Sequence, residues 1–447
     1  MDLQNKKTVV IGMGKSGLAA CELLKKLGAK VCVFDENKEM SDSNKERFGQ
    51  VPIFLGDLPE EELAELDCAV ISPGIPLSKP IARKVRAGNI PIIGEVELAY
   101  LMEQGTVIGI TGTNGKTTTT ALTGDIMKAY KESVYVVGNI GNPYTKEVEK
   151  TSKESVTVAE ISSFQLETVD TFCPAVSAIL NITPDHLDRH GTMENYIETK
   201  FLITKNQTEN QLCVLNYEDE VLRGHAGALP CRVAFFSSKR PVENGLYQNE
   251  NHDIVDAATG EVLMNMSESH ILGDRNCENI MAAILMTREL GVPMDIILSA
   301  VKAFQAVEHR IEYVCTKNGV EYYNDSKGTN PDAAITGIQS MSRKTVLIGG
   351  GYDKGAEYDS WIQAFEGKVK KLILLGETRE KIAATARKLG FEEIEMTDSL
   401  EEAVKRAAQI AVPGDAVLLS PACASWDMFK SFEQRGALFK EYANNLS

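Results

Sequence analysis

The sequence has few of the features that mark membrane proteins and nucleic-acid-binding proteins. Among its 447 residues there is no uncharged apolar run of about 18 residues, so no membrane partner is predicted. Lys and Arg number 47 against 63 Asp and Glu, which gives a net charge of −16, and the sequence contains no lysine-rich tail. A nucleic-acid partner requires a basic surface, so none is expected.

The nine cysteines are scattered and contain no C-x-x-C pair. This pattern predicts reduced thiols and provides neither a disulfide framework nor a zinc site. The opening MDLQNKKTVVIGMG also lacks a charged segment followed by an apolar leader. We therefore expect a cytoplasmic protein, which we take to be a monomer.

Apolar runs of strand length alternate with amphipathic helical segments along the whole chain. Examples are KTVVIG, KVCVFD, TVIGIT and TVLIGG, separated by segments such as LAACELLKKLG. This alternation predicts an α/β protein with doubly wound parallel sheets. Its length predicts three domains. We expect a Rossmann-like parallel sheet over 1–94, a P-loop ATPase-like α/β domain over 95–306, and a Rossmann-like α/β domain over 307–447. The last opens with a hairpin in which Asn318-Gly319 is a type I′ turn signal.

The first glycine-rich turn lies in VVIGMGKSGLAACELLKKLGAKVCVFD. Gly12, Gly14 and Gly17 connect a strand to a helix, as in a dinucleotide-binding fingerprint that accepts a pyrophosphate. The alternative is a glycine turn without a ligand. Asp35 ends the next strand, where it either accepts a hydrogen bond from a ribose or base, or caps a turn. SPGIP, residues 72–76, follows the strand CAVI at the same sheet edge.

The second glycine-rich loop, GITGTNGKTTTT, follows another apolar strand and opens a helix. Such a loop directs backbone N–H groups at phosphates, while Lys116 reaches the β- and γ-phosphates and Thr117 binds Mg²⁺. A strict P-loop would have glycine at position 110, where this chain has Ile110. The alternative is a glycine turn with a surface lysine, but the strand before and the helix after favour phosphate binding.

Three further side chains are expected at the same sheet edge. Glu160 ends the strand TVAEIS, where it either binds Mg²⁺ or caps a helix or forms a salt bridge. His186 and His190 stand four residues apart in NITPDHLDRH but lack the third ligand of a zinc site. Lys200 is either solvated and paired with a carboxylate, or chemically altered to carry negative charge.

Taken together, these motifs resemble the Mur ligase family over nearly the whole chain. The resemblance rests on TGTNGKTT, Glu160, NITPDHLDRH with Y-x-x-x-K downstream, EHR at 308–310, and NDSKGTNP. Members are ATP-dependent amino-acid ligases of peptidoglycan precursor synthesis. GMGKSG, SPGIP and LLSPACASWDMFKSFEQRG are similar to the members that add D-glutamate to UDP-N-acetylmuramoyl-L-alanine (UDP-MurNAc-L-Ala). The resemblance implies those substrates, with ATP and two Mg²⁺ ions as cofactors.

The resemblance also implies roles for individual residues. The implied catalytic residues are Lys116, His186 and Lys200. The implied metal ligands are Thr117, Glu160, His186 and a carbamylated Lys200. The implied ATP-binding residues are Gly112, Thr113, Asn114, Gly115, Lys116, Thr117, Thr118, Asn276, Asn279, Arg310 and Asp325. The implied substrate-binding residues are Lys15, Ser16, Asp35, Ser72, Gly74, Asn139, Lys327, Thr329, Lys354, Ser425 and Phe432.

Two positions depart from the family pattern, and two other functions compete with it. GDRN has Arg275 where the family commonly has His, and Glu36-Asn37 supplies no basic residue after Asp35. A nicotinamide-dependent oxidoreductase built on GMGKSG would leave the P-loop and Glu160 without a role. A regulatory P-loop ATPase would leave the N-terminal domain and the SPACAS segment without one.

Overall fold

Within the described residues, the strands form three β-sheets with helices packed on them, as the sequence predicts. The computed structural model describes residues 2–139, 142–271, 273–305, 308–341 and 343–446, apart from the side chains of residues 43, 188 and 332. None of the helices in these ranges is long and apolar enough to cross a membrane.

The N-terminal sheet is five-stranded and fully parallel, in the order β3-β2-β1-β4-β5. Its central strand is buried on both faces, which matches the unbroken apolar run that predicted it. The elements are β1 (Lys7–Ile11), α1 (Lys15–Lys26), β2 (Lys30–Asp35), α2 (Asp42–Glu46), β3 (Ile53–Leu55), α3 (Glu60–Ala64), β4 (Cys68–Ile71), α4 (Pro80–Ala87), β5 (Ile92–Gly94) and α5 (Glu95–Tyr100). The predicted Rossmann-like sheet is confirmed.

The central sheet is nine-stranded, in the order β14-β13-β12-β11-β10-β9-β6-β8-β7. Strands β6 to β12 pair in parallel with one another, and β13 and β14 extend the sheet by antiparallel pairing with β12 and with each other. The elements are β6 (Thr106–Thr111), α6 (Lys116–Tyr130), β7 (Val134–Gly138), α7 (Tyr144–Glu147), β8 (Val156–Glu160), α8 (Ser163–Leu166), β9 (Val176–Ile179), α9 (Leu187–His190), α10 (Met193–Phe201), β10 (Leu212–Asn216), α11 (Glu220–His225), β11 (Arg232–Ser237), β12 (Gly245–Gln248), β13 (Asp253–Asp256), β14 (Val262–Asn265), α12 (Asp274–Glu289) and α13 (Met294–Ala303). The antiparallel extension was not predicted from the sequence.

The C-terminal sheet is six-stranded, in the order β15-β16-β20-β17-β18-β19. The hairpin β15–β16 is antiparallel and the remaining pairs are parallel. Asn318 and Gly319 both have positive φ, 53° and 75°, as the predicted type I′ turn requires. The elements are β15 (Glu312–Lys317), β16 (Val320–Asn324), α14 (Pro331–Gln339), β17 (Thr345–Gly349), α15 (Asp359–Gln363), β18 (Val369–Leu374), α16 (Arg379–Lys388), β19 (Ile394–Met396), α17 (Leu400–Ile410), β20 (Ala416–Leu419) and α18 (Phe432–Asn444).

The chain divides into two compact units. One comprises Met1–Asn265 with Glu278–Lys302, and the other comprises Met266–Cys277 with Ala303–Ser447. The N-terminal and central sheets therefore belong to one unit and the C-terminal sheet to the other. The domain boundaries after residues 94 and 306 stay predictions from the sequence.

The first glycine-rich turn is built by close backbone packing. Gly12 has a φ of 103° and donates its N–H to the carbonyl of Phe34 at 2.8 Å. A Cβ at Gly17, in the first turn of α1, would lie 1.9 Å from the carbonyl oxygen of Gly12. Helix α1 can therefore begin here only because residue 17 has no side chain.

The two helix-side glycines of this turn should respond differently to alanine. Gly17→Ala places its methyl group against the Gly12 backbone, so we expect a loss of about 2 kcal/mol in the free energy of unfolding. Gly14→Ala is the matched control, because its Cβ would meet no atom within 4 Å and its φ is −74°. Urea unfolding of both variants checks this, and equal midpoints would contradict the close packing at Gly17.

Candidate active site

The P-loop is a glycine turn held in place by an asparagine from the neighbouring strand. Gly112 and Gly115 have φ values of 147° and 85°, a region that glycine adopts readily. Asn181, just after β9, accepts the N–H of Asn114 on its Oδ1 at 2.8 Å and donates its Nδ2 to the Asn114 carbonyl at 3.0 Å. Its own carbonyl accepts the N–H of Thr113 at 2.9 Å. This role was not predicted from the sequence, although Asn181 begins the NITPDHLDRH motif.

Two lysine side chains donate to the same backbone carbonyl of this loop. Lys116 Nζ lies 2.8 Å from the carbonyl oxygens of Gly112 and Thr113, and Lys200 Nζ lies 2.9 Å from that of Gly112. Lys200 is only 1% exposed, and it packs over the ring of Tyr196 at 4.7 Å. Burial, with a further contribution from Lys116, lowers the pKa of Lys200 well below its ordinary value. The amine is therefore biased towards its neutral, nucleophilic form.

Glu160 ends β8 beside this loop and is 1% exposed. Its Oε1 accepts a hydrogen bond from Nδ2 of Asn139 at 2.9 Å. Its Oε2 is buried without a hydrogen-bond partner among the described residues. A buried carboxylate oxygen of this kind is costly unless a cation or a donor satisfies it, so the site is suited to a metal ion.

His186 follows β9 in a left-handed backbone conformation with a φ of 52°. Its side chain is half exposed, and its Nε2 lies 3.5 Å from Oδ2 of Asp185. Its ring packs on that of Phe164, with centroids 4.7 Å apart. Over the described ranges, no three His, Cys, Asp or Glu side chains form a preassembled metal site. A metal ion here would therefore take further oxygen ligands from elsewhere, such as water, a bound nucleotide or a modified side chain.

One cavity of about 390 Å³ brings together residues from separate motifs. It joins the SPGIP loop, the P-loop, the strand ends after β7 and β8, and helix α10. The lining residues are Pro73, Gly74, Gly112, Lys116, Asn139, Ser162, Ser163, Phe164, Asp185, His186, Tyr196 and Lys200. Six residues predicted from the sequence therefore line one cavity. Ser162, Ser163 and Phe164 were missed, although SSF follows the strand that contains Glu160.

The remaining P-loop residues and α12 pack on each other. Thr117 and Thr118 are buried in the first turn of α6. Asn279 on α12 accepts the hydroxyl of Thr119 at 3.1 Å, and a Cβ at Gly115 would lie 2.4 Å from its Oδ1. Asn276 lies one turn earlier on the same helix.

The N-terminal sheet edge contains the residues predicted to contact the UDP-sugar. Asp35 accepts the N–H of Met13 on Oδ2 and that of Asn37 on Oδ1, each at 2.9 Å. Of its two alternatives, the turn-capping role is therefore observed. The Ser72 hydroxyl lies 3.5 Å from the Gly12 carbonyl oxygen. Lys15 and Ser16 open helix α1 on the same edge.

In the C-terminal unit, Asp325 follows β16 and is buried. Its Oδ2 accepts the Ser420 hydroxyl at 2.7 Å. Burial raises its pKa to about 6, although Arg310 and the hydrogen bond from Ser420 act in the opposite direction. Nε of Arg310 is buried, and no described residue provides it with a hydrogen-bond partner.

The residues predicted to bind an amino acid lie on loops of this unit. Nζ of Lys327 lies 5.8 Å from the centroid of the Phe432 ring, and the N–H of Thr329 donates to the Lys327 carbonyl at 2.8 Å. The carbonyl of buried Ser425 accepts the N–H of Phe429 at 2.8 Å. Lys354 is exposed after β17.

Arg435 was not predicted, yet it connects two of these loops. Its guanidinium is 2% exposed and donates to the hydroxyl and carbonyl of Ser326 at 2.9 and 2.8 Å. It also donates to the carbonyls of Cys423 and Ala424, both at 3.2 Å through separate nitrogens. Burial lowers the pKa of Arg435 to about 10. This side chain fixes NDSKGTNP against the SPACAS segment.

Several known proteins that share one name align with this chain over its full length. A 55% identical relative is the UDP-N-acetylmuramoylalanine–D-glutamate ligase of Lachnoclostridium phytofermentans, covering 100% of this chain and 99% of the relative. Proteins with the same name from Lachnospira eligens and Clostridioides difficile are 54% and 46% identical, with 100% of both chains covered in each comparison.

Solved structures share the fold at lower identity. UDP-N-acetylmuramate-alanine ligase MurC from Thermotoga maritima has a TM-score of 0.61 at 18% identity, covering 98% of this chain and 99% of that one. MurF ligase from Thermotoga maritima, in complex with ADP, also has a TM-score of 0.61, at 20% identity, covering 99% of this chain and 96% of that one.

Family models match each part of the chain in order. They are described as the Mur ligase MurD-like N-terminal domain over residues 6–94, the Mur ligase middle domain over 110–287, and the Mur ligase glutamate ligase domain over 309–423. Together with the full-length relatives, these matches establish that the chain belongs to the Mur ligase family.

Proposed function

We propose that this chain is an ATP-dependent ligase that joins D-glutamate to UDP-MurNAc-L-Ala and releases ADP and phosphate. The reaction would supply a precursor of peptidoglycan. The observation that most supports this proposal is that Lys116, Lys200, Asn139 and Gly74 line one cavity, although they come from four separate motifs. The name shared by the full-length relatives, at 46–55% identity, supports the same substrates.

Each of the three proposed domains would bind one substrate, and the third would also supply residues to ATP. Residues 1–94 would hold the UDP-sugar through Lys15, Ser16, Asp35, Ser72 and Gly74. Residues 95–306 would hold ATP on the P-loop from Gly112 to Thr118, with Asn276 and Asn279 on the adenine side. Residues 307–447 would supply Arg310 and Asp325 to ATP, and Lys327, Thr329, Lys354, Ser425 and Phe432 to D-glutamate. The cationic Lys354 suits the carboxylates of that amino acid.

A divalent metal ion fits the residues of the cavity region. The unpartnered Oε2 of Glu160 is a hard oxygen donor of the type that Mg²⁺ prefers. We propose that Thr117 and Glu160 hold one Mg²⁺, and that His186 and carbamylated Lys200 hold a second. When bound, Mg²⁺ would offset negative charge between the nucleotide and the reacting carboxylate.

The chemistry begins with activation of a carboxylate, which is itself a poor electrophile. An oxygen of the L-alanyl carboxylate attacks the γ-phosphorus, forming a C–O–P bond while the bond to ADP breaks. Lys116 stabilises the charge that gathers as these two anions approach each other. Asn139, which lines the cavity and donates to Glu160, orients the carboxylate end of the substrate.

The second step forms the peptide bond. The D-glutamate amine attacks the acyl carbon, the resulting tetrahedral intermediate expels phosphate, and the amine proton passes to the departing phosphate. An acyl phosphate hydrolyses readily, so the residues around it must exclude water. The apolar ring of Phe164 on the cavity wall suits this requirement.

A coupled assay of phosphate release tests the proposed function. We expect release to require both UDP-MurNAc-L-Ala and D-glutamate, and L-glutamate to give none. Lys116→Ala should keep its affinity for the UDP-substrate while its turnover falls by about a hundredfold or more. Phosphate release that does not require the UDP-substrate would indicate a regulatory ATPase instead. Binding of NADH without phosphate release would indicate an oxidoreductase.

Lys200 is expected to function as a carbamate. The lowered pKa of Lys200 favours the neutral amine, whose nitrogen adds to the carbon of CO₂ and loses a proton to give an anion. Lys200→Ala should therefore lose activity that acetate or formate, in CO₂-saturated buffer, partly restores. Lys205→Ala is the control, because that lysine is 42% exposed and pairs with Asp170. No rescue, with an unmodified Lys200 in a refined electron-density map, would refute the carbamate.

The ionised Asp325 carboxylate, which we propose contacts ATP, is expected to lower the free energy of unfolding at neutral pH. Because its pKa is raised in the fold, its contribution to stability is fully present below about pH 4 and is lost as pH rises through about 6. Asp325→Asn should therefore raise the free energy of unfolding by up to about 3 kcal/mol at pH 7.5, with no gain at pH 4. Activity of the variant should fall sharply.

Thermal and urea unfolding at the two pH values measure this effect. Asp398→Asn is the control, since Asp398 is 88% exposed and should change stability little at either pH. A destabilised Asp325→Asn protein at pH 7.5 would show that the ionised carboxylate is stabilising and would contradict the prediction.

A further inference from the structure

Arg189 is a buried cation for which neither the P-loop nor the proposed metal ligands provide a role. It lies on α9 in NITPDHLDRH, three residues after His186, and its side chain is 8% exposed. An arginine this buried requires several hydrogen-bond acceptors, since its guanidinium stays charged. Its partners therefore indicate what it holds in place.

One end of the guanidinium is fixed within the central domain. Nε and Nη2 donate to the two oxygens of Glu167 at 3.1 and 2.6 Å, in the paired geometry that arginine forms with a carboxylate. The guanidinium also stacks 4.1 Å above the ring of Phe164, which itself packs on His186. Arg189 therefore packs directly on Phe164, which lines the cavity.

The other end reaches the N-terminal domain. Nη1 donates to the carbonyl of Pro73 at 2.7 Å, and Nη2 lies 3.4 Å from the carbonyl of Ile75. Both carbonyls belong to the SPGIP loop, whose Pro73 and Gly74 line the same cavity as Gly112 and Lys116 of the P-loop. A single side chain thus bridges the SPGIP loop and Phe164, which lines the cavity and packs on His186.

We propose that Arg189 is a positioning residue that sets the SPGIP loop at its working distance from the P-loop. This inference rests on the proposed function, in which SPGIP contacts the UDP-sugar and Lys116 binds the γ-phosphate. The two substrates must meet within bonding reach, and small misplacements of reacting groups lower rates steeply. Arg189 makes this alignment without touching either substrate, because it contacts only protein groups on both sides.

Three variants test the proposal. Arg189→Ala removes both ends of the bridge. Arg189→Lys keeps the charge beside Glu167 but has no planar fork that can serve both the carboxylate and the loop carbonyls. Arg240→Ala is the matched control, since Arg240 makes a similar fork with Glu218 at 3.2 and 3.0 Å within the central domain and is 57% exposed.

We expect Arg189→Ala to raise KM for UDP-MurNAc-L-Ala tenfold or more and to lower kcat, while KM for ATP stays within twofold. Arg189→Lys should have a melting temperature closer to that of the parent protein than Arg189→Ala has, but it should keep the raised KM for UDP-MurNAc-L-Ala. Arg240→Ala should match the parent protein in both quantities. Hydrogen exchange at the Ile75 amide, which donates to the Ser72 carbonyl at 3.0 Å, should become at least tenfold faster in both Arg189 variants.

Two results would overturn the proposal. One is an unchanged KM for the UDP-substrate together with unchanged exchange at Ile75. The other is a KM for UDP-MurNAc-L-Ala that returns to the parent value in Arg189→Lys, because the positive charge alone would then account for the role of Arg189. If the parent protein shows no ligase activity, the proposed function fails, and the exchange measurement still decides whether Arg189 holds the loop.

Discussion

Two lysine side chains donating to one carbonyl of the P-loop set the chemistry of the whole cavity. Lys116 and Lys200 both reach the Gly112 carbonyl, and Lys200 is almost fully buried there. Burial of the Lys200 amine, with a further contribution from the nearby charge of Lys116, lowers the pKa of Lys200 well below its ordinary value. The region can respond by binding anions or by converting Lys200 to an anion. The proposed ATP phosphates, reacting carboxylate and carbamate fit this balance of charge.

The fold provides this arrangement by placing strand ends at one edge. In a parallel sheet the carboxyl ends of β6, β7, β8 and β9 lie side by side, so their loops meet although they are far apart in sequence. Asn181 holds the P-loop rigid from one side, and Asn139 directs Glu160 from the other. The SPGIP loop is added from the neighbouring sheet and is held by Arg189. The parallel strands therefore place the loops around the cavity, and individual side chains then hold those loops in position.

Much of this could be predicted from the sequence because the signals are local. Buried strands are visible as apolar runs, the hairpin as Asn318-Gly319, and the P-loop as glycines followed by Lys116. The roles of Asn181, Arg189 and Arg435 could not be predicted, since each depends on partners that only the folded chain brings near. Arg435, for example, contacts Ser326, which is 109 residues away in sequence. The short strands β12 to β14 were also missed, because their polar residues obscure the alternation that marks a strand.

In the proposed reaction, the cavity activates a carboxylate by transferring a phosphoryl group to it. An isotope experiment tests this step, using UDP-MurNAc-L-Ala labelled with ¹⁸O in the alanyl carboxylate and mass spectrometry of the released phosphate. Phosphoryl transfer predicts that each phosphate carries one ¹⁸O atom from the substrate, because the acyl–oxygen bond breaks when the D-glutamate amine attacks. Unlabelled phosphate, formed alongside the ligated product, would contradict it.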